Sequence, residues 1–155
     1  MIDIRPYHST DKTTVCTLFY ETVHAINQAD YTSVQLDAWT DTITDWPARL
    51  LTDYGLVAQI NHTIVGFGSM TADGELDLLF VHKDFQGQGI ATQLASELEA
   101  DALRHGNETI RVFASITARP FFQKRGYQVI RENTVHRANQ ILTNFVMAKS
   151  IAKTM

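Results

Sequence analysis

The residues whose types and spacing speak most directly of chemistry are Gln86-Gly87-Gln88-Gly89-Ile90-Ala91-Thr92, a glycine-punctuated turn between the apolar run Leu76 to Val81 and a segment of helical periodicity. Gly87 and Gly89 let the main chain approach a ligand with no Cβ in the way, and Ala91 keeps that approach narrow. The free N–H groups and positive dipole end of a helix opening there favour an anion such as phosphate. Two acids stand just upstream. Strand alternation puts Glu75, Asp77, Leu79 and Val81 on one face, opposite Leu76, Leu78 and Phe80, so both acids are expected to point the same way. Asp77, embedded between leucines, reads either as a functional acid or as a structural hydrogen-bond acceptor, and Glu75 either as a functional acid or as a solvated strand edge.

The elements around this turn follow from periodicity. Ile2 and Ile4 alternate with Asp3 and Arg5 in a short first strand ending at Pro6. A helix carrying Val15, Leu18, Phe19, Val23 and Ile26 on one side comes next, capped by Ser9, Thr10 or Asp11. Ser33 to Trp39 and Trp46 to Leu51 read as shorter helices. Leu56 to Ile60 and Thr63 to Met70 form a hairpin through Asn61-His62. Gln88 to His105 is the strongest helix, ended by Gly106-Asn107. Ile110 to Phe113 is a strand, Thr117 to Arg125 a helix, and Tyr127 to Arg131 with Ile141 to Ala148 closing strands. The fold class expected is α/β of the α+β kind, a mixed and largely antiparallel central sheet with helices on both faces. A dinucleotide fingerprint does not fit: it wants Gly or Ala where Thr92 sits and follows the first strand, whereas this turn lies mid-chain after hairpins.

A length of 155 residues with 45% hydrophobic content predicts a single domain over residues 1–155. A net charge of −4 argues against a general nucleic-acid or anionic-membrane surface. Cys16 is the single cysteine, which excludes an internal disulfide, points to a reducing cytoplasm, and sits among apolar neighbours as core filler. No export signal or membrane-spanning run is expected. The histidines are scattered with no metal-ligand spacing, so no metal is expected.

Gln86-Gly87-Gln88-Gly89-Ile90-Ala91 resembles the pyrophosphate-binding motif of the GNAT superfamily of N-acetyltransferases: Gln or Arg, two variable residues, Gly, one variable residue, then Gly or Ala. Further along, Ala118-Arg119-Pro120-Phe121-Phe122-Gln123-Lys124-Arg125-Gly126-Tyr127 resembles the family's second landmark. The phrases Ala114 to Phe122, Thr143 to Phe145 and Tyr31 to Trp39 resemble the YafP-type branch of bacterial acetyltransferases.

This resemblance implies an acetyl-coenzyme A-dependent N-acetyltransferase acting on a primary amine, small molecule or peptide, by direct attack in a ternary complex. Gln86 to Thr92 would hold the pyrophosphate, Leu79, Phe80 and Val81 would pair with the pantetheine arm, and the N–H near Val81 would polarise the thioester carbonyl. Asp77 and Glu75 are the candidate bases; some family members carry theirs where Glu75 stands. Family members often have a tyrosine at the position of Phe122, to protonate the departing thiolate. A phenyl ring donates no proton, so Tyr127, Ser115 or water must serve, or the thiolate leaves unassisted, and Phe122 only packs beside the coenzyme arm. Tyr127 also reads as core and Ser115 as a turn hydroxyl. Tyr31 and Trp39 would line the acceptor slot, although Trp39 also reads as core, and His136 on a closing strand reads as a surface histidine or as bordering the slot. The competing reading is a coenzyme A-binding module without chemistry. A homodimer through the terminal strands is compatible with the chain.

Overall fold

The computed structural model describes residues 1–41 and 46–152. Strand β1 (Asp3–Pro6) leads into helices α1 (Lys12–Ile26), α2 (Ser33–Thr40) and α3 (Arg49–Thr52). Strands β2 (Tyr54–Ile60), β3 (Thr63–Met70) and β4 (Glu75–Val81) follow, then helix α4 (Ile90–Arg104), strand β5 (Thr109–Ser115), helix α5 (Arg119–Lys124) and the hairpin β6 (Gln128–Arg137) and β7 (Gln140–Ser150). The strands make one sheet in the order β1-β2-β3-β4-β5-β7-β6. All neighbours are antiparallel except β4 and β5. This is the mixed, largely antiparallel sheet that the alternation of hairpin and helical patterns predicts.

Each face of the sheet carries its own core. Helix α4 covers one face with Ile90, Leu94 and Leu98, packed on Val65, Met70, Ile110, Val112 and Met147. Helices α1 and α2 cover the other through Val15, Phe19, Val23 and Leu36, against Val57, Phe67 and Leu78. Helix α4 lies close on β3 because Gly68 has no side chain: a Cβ there would meet Leu78 O at 2.8 Å and Leu98 Cδ1 at 3.0 Å. Cys16 packs at the margin of the α1 core, as its apolar neighbours suggest.

Two boundaries differ from the sequence expectation for reasons of backbone geometry. Helix α4 starts at Ile90, not Gln88, because Gly89 holds φ 81° and cannot continue a right-handed helix. Strand β6 runs on to Arg137 instead of stopping at Arg131. The turn that follows it, Ala138-Asn139 with φ 44° and 65°, is of the same kind as Asn61-His62 with φ 50° and 67°. Alanine seldom takes a positive φ, so its sequence gives no hairpin signal. Among the described residues no helix is long and apolar enough to cross a membrane.

The close seating of α4 generates a test. Gly68→Ala should destabilise the fold by about 1–3 kcal/mol, since the carbonyl it meets belongs to a paired strand and cannot rotate away. Urea denaturation with a lowered midpoint and unchanged slope is the expected reading.

Candidate active site

The site begins where the sheet stops being a sheet. Strands β4 and β5 pair only at Glu75–Arg111 and Leu76–Val112, and diverge from there. The divergence starts beside a β-bulge: Ser69 faces Leu78 and Met70 faces Leu76, so Asp77 is the extra residue of β4. The bulge overturns the expected single alternation. Leu76, Leu79 and Val81 pack under α4, while Leu78 and Phe80 pack under α1. Leu79 and Val81 therefore do not share a face with Glu75 in the way strict alternation requires.

At the open end of β4, the main chain presents its own donors. His82 N bonds Val65 O at 2.8 Å, so Gly66 and Val81 form a non-hydrogen-bonded pair. The N–H and C=O groups of Val81, and by alternation those of Leu79, then point away from β3 into the gap. The Val81 carbonyl is occupied there, accepting from Gln86 Nε2 at 2.7 Å and from the buried Thr22 Oγ1 at 3.3 Å. Gln86 thus ties the turn to the strand end through its side chain.

The turn itself is built as an open cradle. Gly87 at φ 74° and Gly89 at φ 81° both lie in the left-handed region, and a Cβ at either would meet nothing within 4 Å. Backbone conformation, not internal packing, therefore demands glycine here. Gln86, Gly87, Gln88 and Gly89 are all exposed. No side chain caps α4 and no acid lies in its first turn. The uncapped N–H groups and the helix dipole face solvent through this turn, an arrangement suited to a phosphate. Ile90 turns only its main chain to the turn, since its side chain is 1% exposed in the core. Thr92 is exposed and Ala91 half-buried in the first turn.

On the α1 and α2 side of the gap lies a cleft of about 610 Å³. Its floor is β4 from Glu75 to Leu78 with Phe80, and β5 at Phe113 and Ser115. Phe19, Tyr31, Trp39 and Trp46 form one wall, and the β6–β7 hairpin, including His136, forms the other. The two acids behave differently. Asp77 accepts from Arg49 Nε at 2.8 Å and Nη2 at 3.5 Å, an ion pair between the bulge and α3. Glu75 has no side-chain hydrogen bond or ion pair to a described residue. Burial, then the neighbouring Asp77 charge, raises its carboxyl above the ordinary value against the weaker pull of Arg111 and Arg49.

The chain's relatives carry the same architecture. Residues 27–149 match the acetyltransferase (GNAT) domain family. The chain belongs to the GNAT acetyltransferases. An uncharacterized N-acetyltransferase, YafP of Escherichia coli K12, is 32% identical over 94% of each chain. The crystal structure of a GCN5-related N-acetyltransferase from Rhodopseudomonas palustris superposes with a TM-score of 0.93 at 33% identity, over 96% of this chain and 95% of that one. PaiA N-acetyltransferase from Thermoplasma acidophilum, solved with coenzyme A, shares the fold at a TM-score of 0.77 and 19% identity, over 97% of this chain and 99% of that one.

Within this GNAT domain the remaining expected residues have definite places. Phe122 is 3% exposed, edge-on to Phe121 and Tyr127 in the core under α4. Tyr127 lies there too, and its hydroxyl donates to Glu99 at 2.7 Å. Burial first, then the bond to Glu99, pushes that phenol far above its ordinary value. Ser115 Oγ accepts from Ala118 N at 3.0 Å, the turn role that its position also allows. Tyr31 is fully engaged: its hydroxyl donates to Thr143 O at 2.6 Å and accepts from Ile116 N at 2.9 Å. Arg49 is the site residue that sequence reading missed; the signal was Asp77 between leucines, which calls for a cation. Among the described residues no three His, Cys, Asp or Glu side chains gather as a metal site.

The coupling of the two acids is measurable. In Asp77→Asn the Glu75 carboxyl should titrate at lower pH than in the parent, because a like charge is gone and Arg49 is released towards it. Carboxyl-resolved carbon NMR across the acid range follows the change directly.

Proposed function

We propose that this GNAT domain transfers the acetyl group of acetyl-coenzyme A to a primary amine seated in the cleft, with Glu75 as general base. What carries the reading is the junction of an open, uncapped phosphate cradle with a strand end whose main-chain donors face a gap. The cradle Gln86 to Thr92 takes the pyrophosphate through backbone N–H groups. The Leu79 and Val81 main chain takes the amides of the pantetheine arm, and the Val81 N–H is the donor aimed at the thioester oxygen. Bound there, acetyl-coenzyme A supplies an activated acyl group.

Of the two candidate bases the geometry favours Glu75. Asp77 is neutralised by Arg49 and serves to hold the bulge, whereas Glu75 has no ion pair to a described residue, is raised above the ordinary carboxyl value by burial and the Asp77 charge, and opens to the cleft. It takes a proton from the bound ammonium, directly or through one water. The C–N bond then forms as the C–S bond breaks, and the ammonium's second proton ends on the departing sulfur. Tyr127 is locked to Glu99 on the opposite side of the sheet and Phe122 carries no proton, so the Ser115 hydroxyl, which lines the cleft and accepts from Ala118 N without donating, or water is the donor this geometry leaves. Phe122 supports the arm from beneath as packing.

Two variants separate the parts. Glu75→Gln should lower turnover by about 10²–10⁴-fold with coenzyme affinity little changed, as read by thiol release and calorimetry. Gly89→Glu should do the reverse, weakening coenzyme binding sharply because the added carboxylate opposes the pyrophosphate, while the φ of 81° lowers the melting temperature of the unliganded protein modestly and to the same extent as in Gly89→Ala, which carries the strain without the charge. Unchanged coenzyme binding in Gly89→Glu would overturn the cradle assignment.

A further inference from the structure

We infer that the acceptor of this cleft is an arylalkyl primary amine, one ammonium joined to an aromatic ring through one or two carbons. The inference rests on the transferase reading above, which supplies Glu75 as the group that receives the amine. A volume of about 610 Å³ suits a small ligand. The lining then narrows the choice of ligand in three ways.

One wall is aromatic, and its rings are fixed. Phe19 packs on Trp46 at 5.0 Å and on Phe80 at 5.1 Å, and Phe80 stacks on Phe67 at 5.5 Å. Trp39 meets Tyr31 edge-on at 5.5 Å. Above this cluster Phe113, on β5 at the edge of the gap, leaves 47% of its surface open and lines the same cleft. A flat apolar body would cover Phe113 while meeting the half-exposed rings of Trp39 and Phe80.

The polar groups nearest the aromatic wall are engaged within the protein. The Tyr31 hydroxyl both donates and accepts, and Ser115 Oγ holds Ala118 N. Asn133 Nδ2 donates to Asn144 Oδ1 at 2.9 Å, and Asn133 Oδ1 accepts from Arg131. The hydroxyls of an amino sugar or other polyol laid against the aromatic wall would lose their hydration and find Tyr31 and Asn133 already engaged, at a cost per buried hydroxyl. Charge narrows the class again. Arg49 already cancels Asp77, so Glu75 is the one floor carboxylate without an ion pair among the described residues. A second ammonium would face Arg49 on the floor and Arg137 on the hairpin, with exposed Asp41 at the mouth as its remaining carboxylate. A single positive charge fits this arrangement better than two.

The test compares phenethylamine, putrescine and glucosamine as acceptors with acetyl-coenzyme A, and adds calorimetry of phenethylamine on the coenzyme A-loaded protein. Phenethylamine should lead in kcat/KM by about tenfold or more. Phe113→Ala should lose at least about tenfold of that value, and Phe113→Tyr should keep it. Equal or better use of putrescine or glucosamine overturns the aromatic class while the transferase reading stands. If no amine is acetylated, calorimetry decides. Saturable phenethylamine binding that Phe113→Ala weakens supports the aromatic slot and sinks the transferase reading, and an absence of binding overturns the slot.

Discussion

Everything in the site depends on one interruption of the sheet, the parting of β4 from β5 after two paired residues. A continuous ladder would have consumed the main-chain groups of Leu79 and Val81 in strand pairing and closed the floor of the cleft. The bulge at Asp77 marks the break, because an extra residue bends its strand and increases the local twist. The cost is a charged side chain in a sheet, and the Arg49 guanidinium at 2.8 Å offsets it. The short helix α3 thus has a reason to dock where it does: it delivers the cation that lets the bulge exist. Gly55 is part of the same device, since a Cβ there would collide with the Leu50 carbonyl and push α3 off the sheet.

The same cluster sets the electrostatics. Asp53 and Glu75 are both raised above their ordinary carboxyl values, each first by burial and next by Asp77. One guanidinium serves three carboxylates and pairs tightly with a single one, leaving its neighbours destabilised as anions. A carboxylate made more basic than its ordinary form can be produced this way without burying it completely. Division of labour between adjacent acids follows: one holds the backbone, the other titrates.

Much of the fold was legible because the signals were local. Alternation marked the strands, Asn61-His62 marked a hairpin, and the two glycines marked the start of α4. Both closing strands were legible but the turn that joins them was not, since Ala138 takes a positive φ that its sequence does not advertise. The glycine turn was legible for the same local reason that makes it open: both residues need φ values that only glycine adopts cheaply. The faces of β4 were misjudged, because a bulge is a pairing property of two strands and leaves no mark on the periodicity of one. Arg49 escaped notice likewise: it meets Asp77 from 28 positions away in the chain. Tyr31 and Ser115 show the opposite limit, where residue type suggests chemistry and the hydrogen bonds reveal joints between elements.

That Tyr127 is turned away from the cleft is consistent with how the chain is built. Tyr127, the one nearby phenol of the second landmark, is committed to Glu99 together with Arg125 at 2.6 Å and Lys149 at 3.5 Å, a knot joining α4, α5 and β7. Moving that hydroxyl to the gap would break the knot and leave a half-buried carboxylate short of a partner. The α5 segment is therefore fixed by packing and by charge, with Phe122 beneath it as an apolar prop. A thiolate is a far weaker base than an amine anion, so its departure needs less acid assistance than the ammonium needs a base. On the proposed reading, the chain's own contribution is then positional: a cradle at one end of the gap, a single directed N–H at the strand end, and one poised carboxylate across the bulge, held in register by Gln86 and Thr22 on the same Val81 carbonyl.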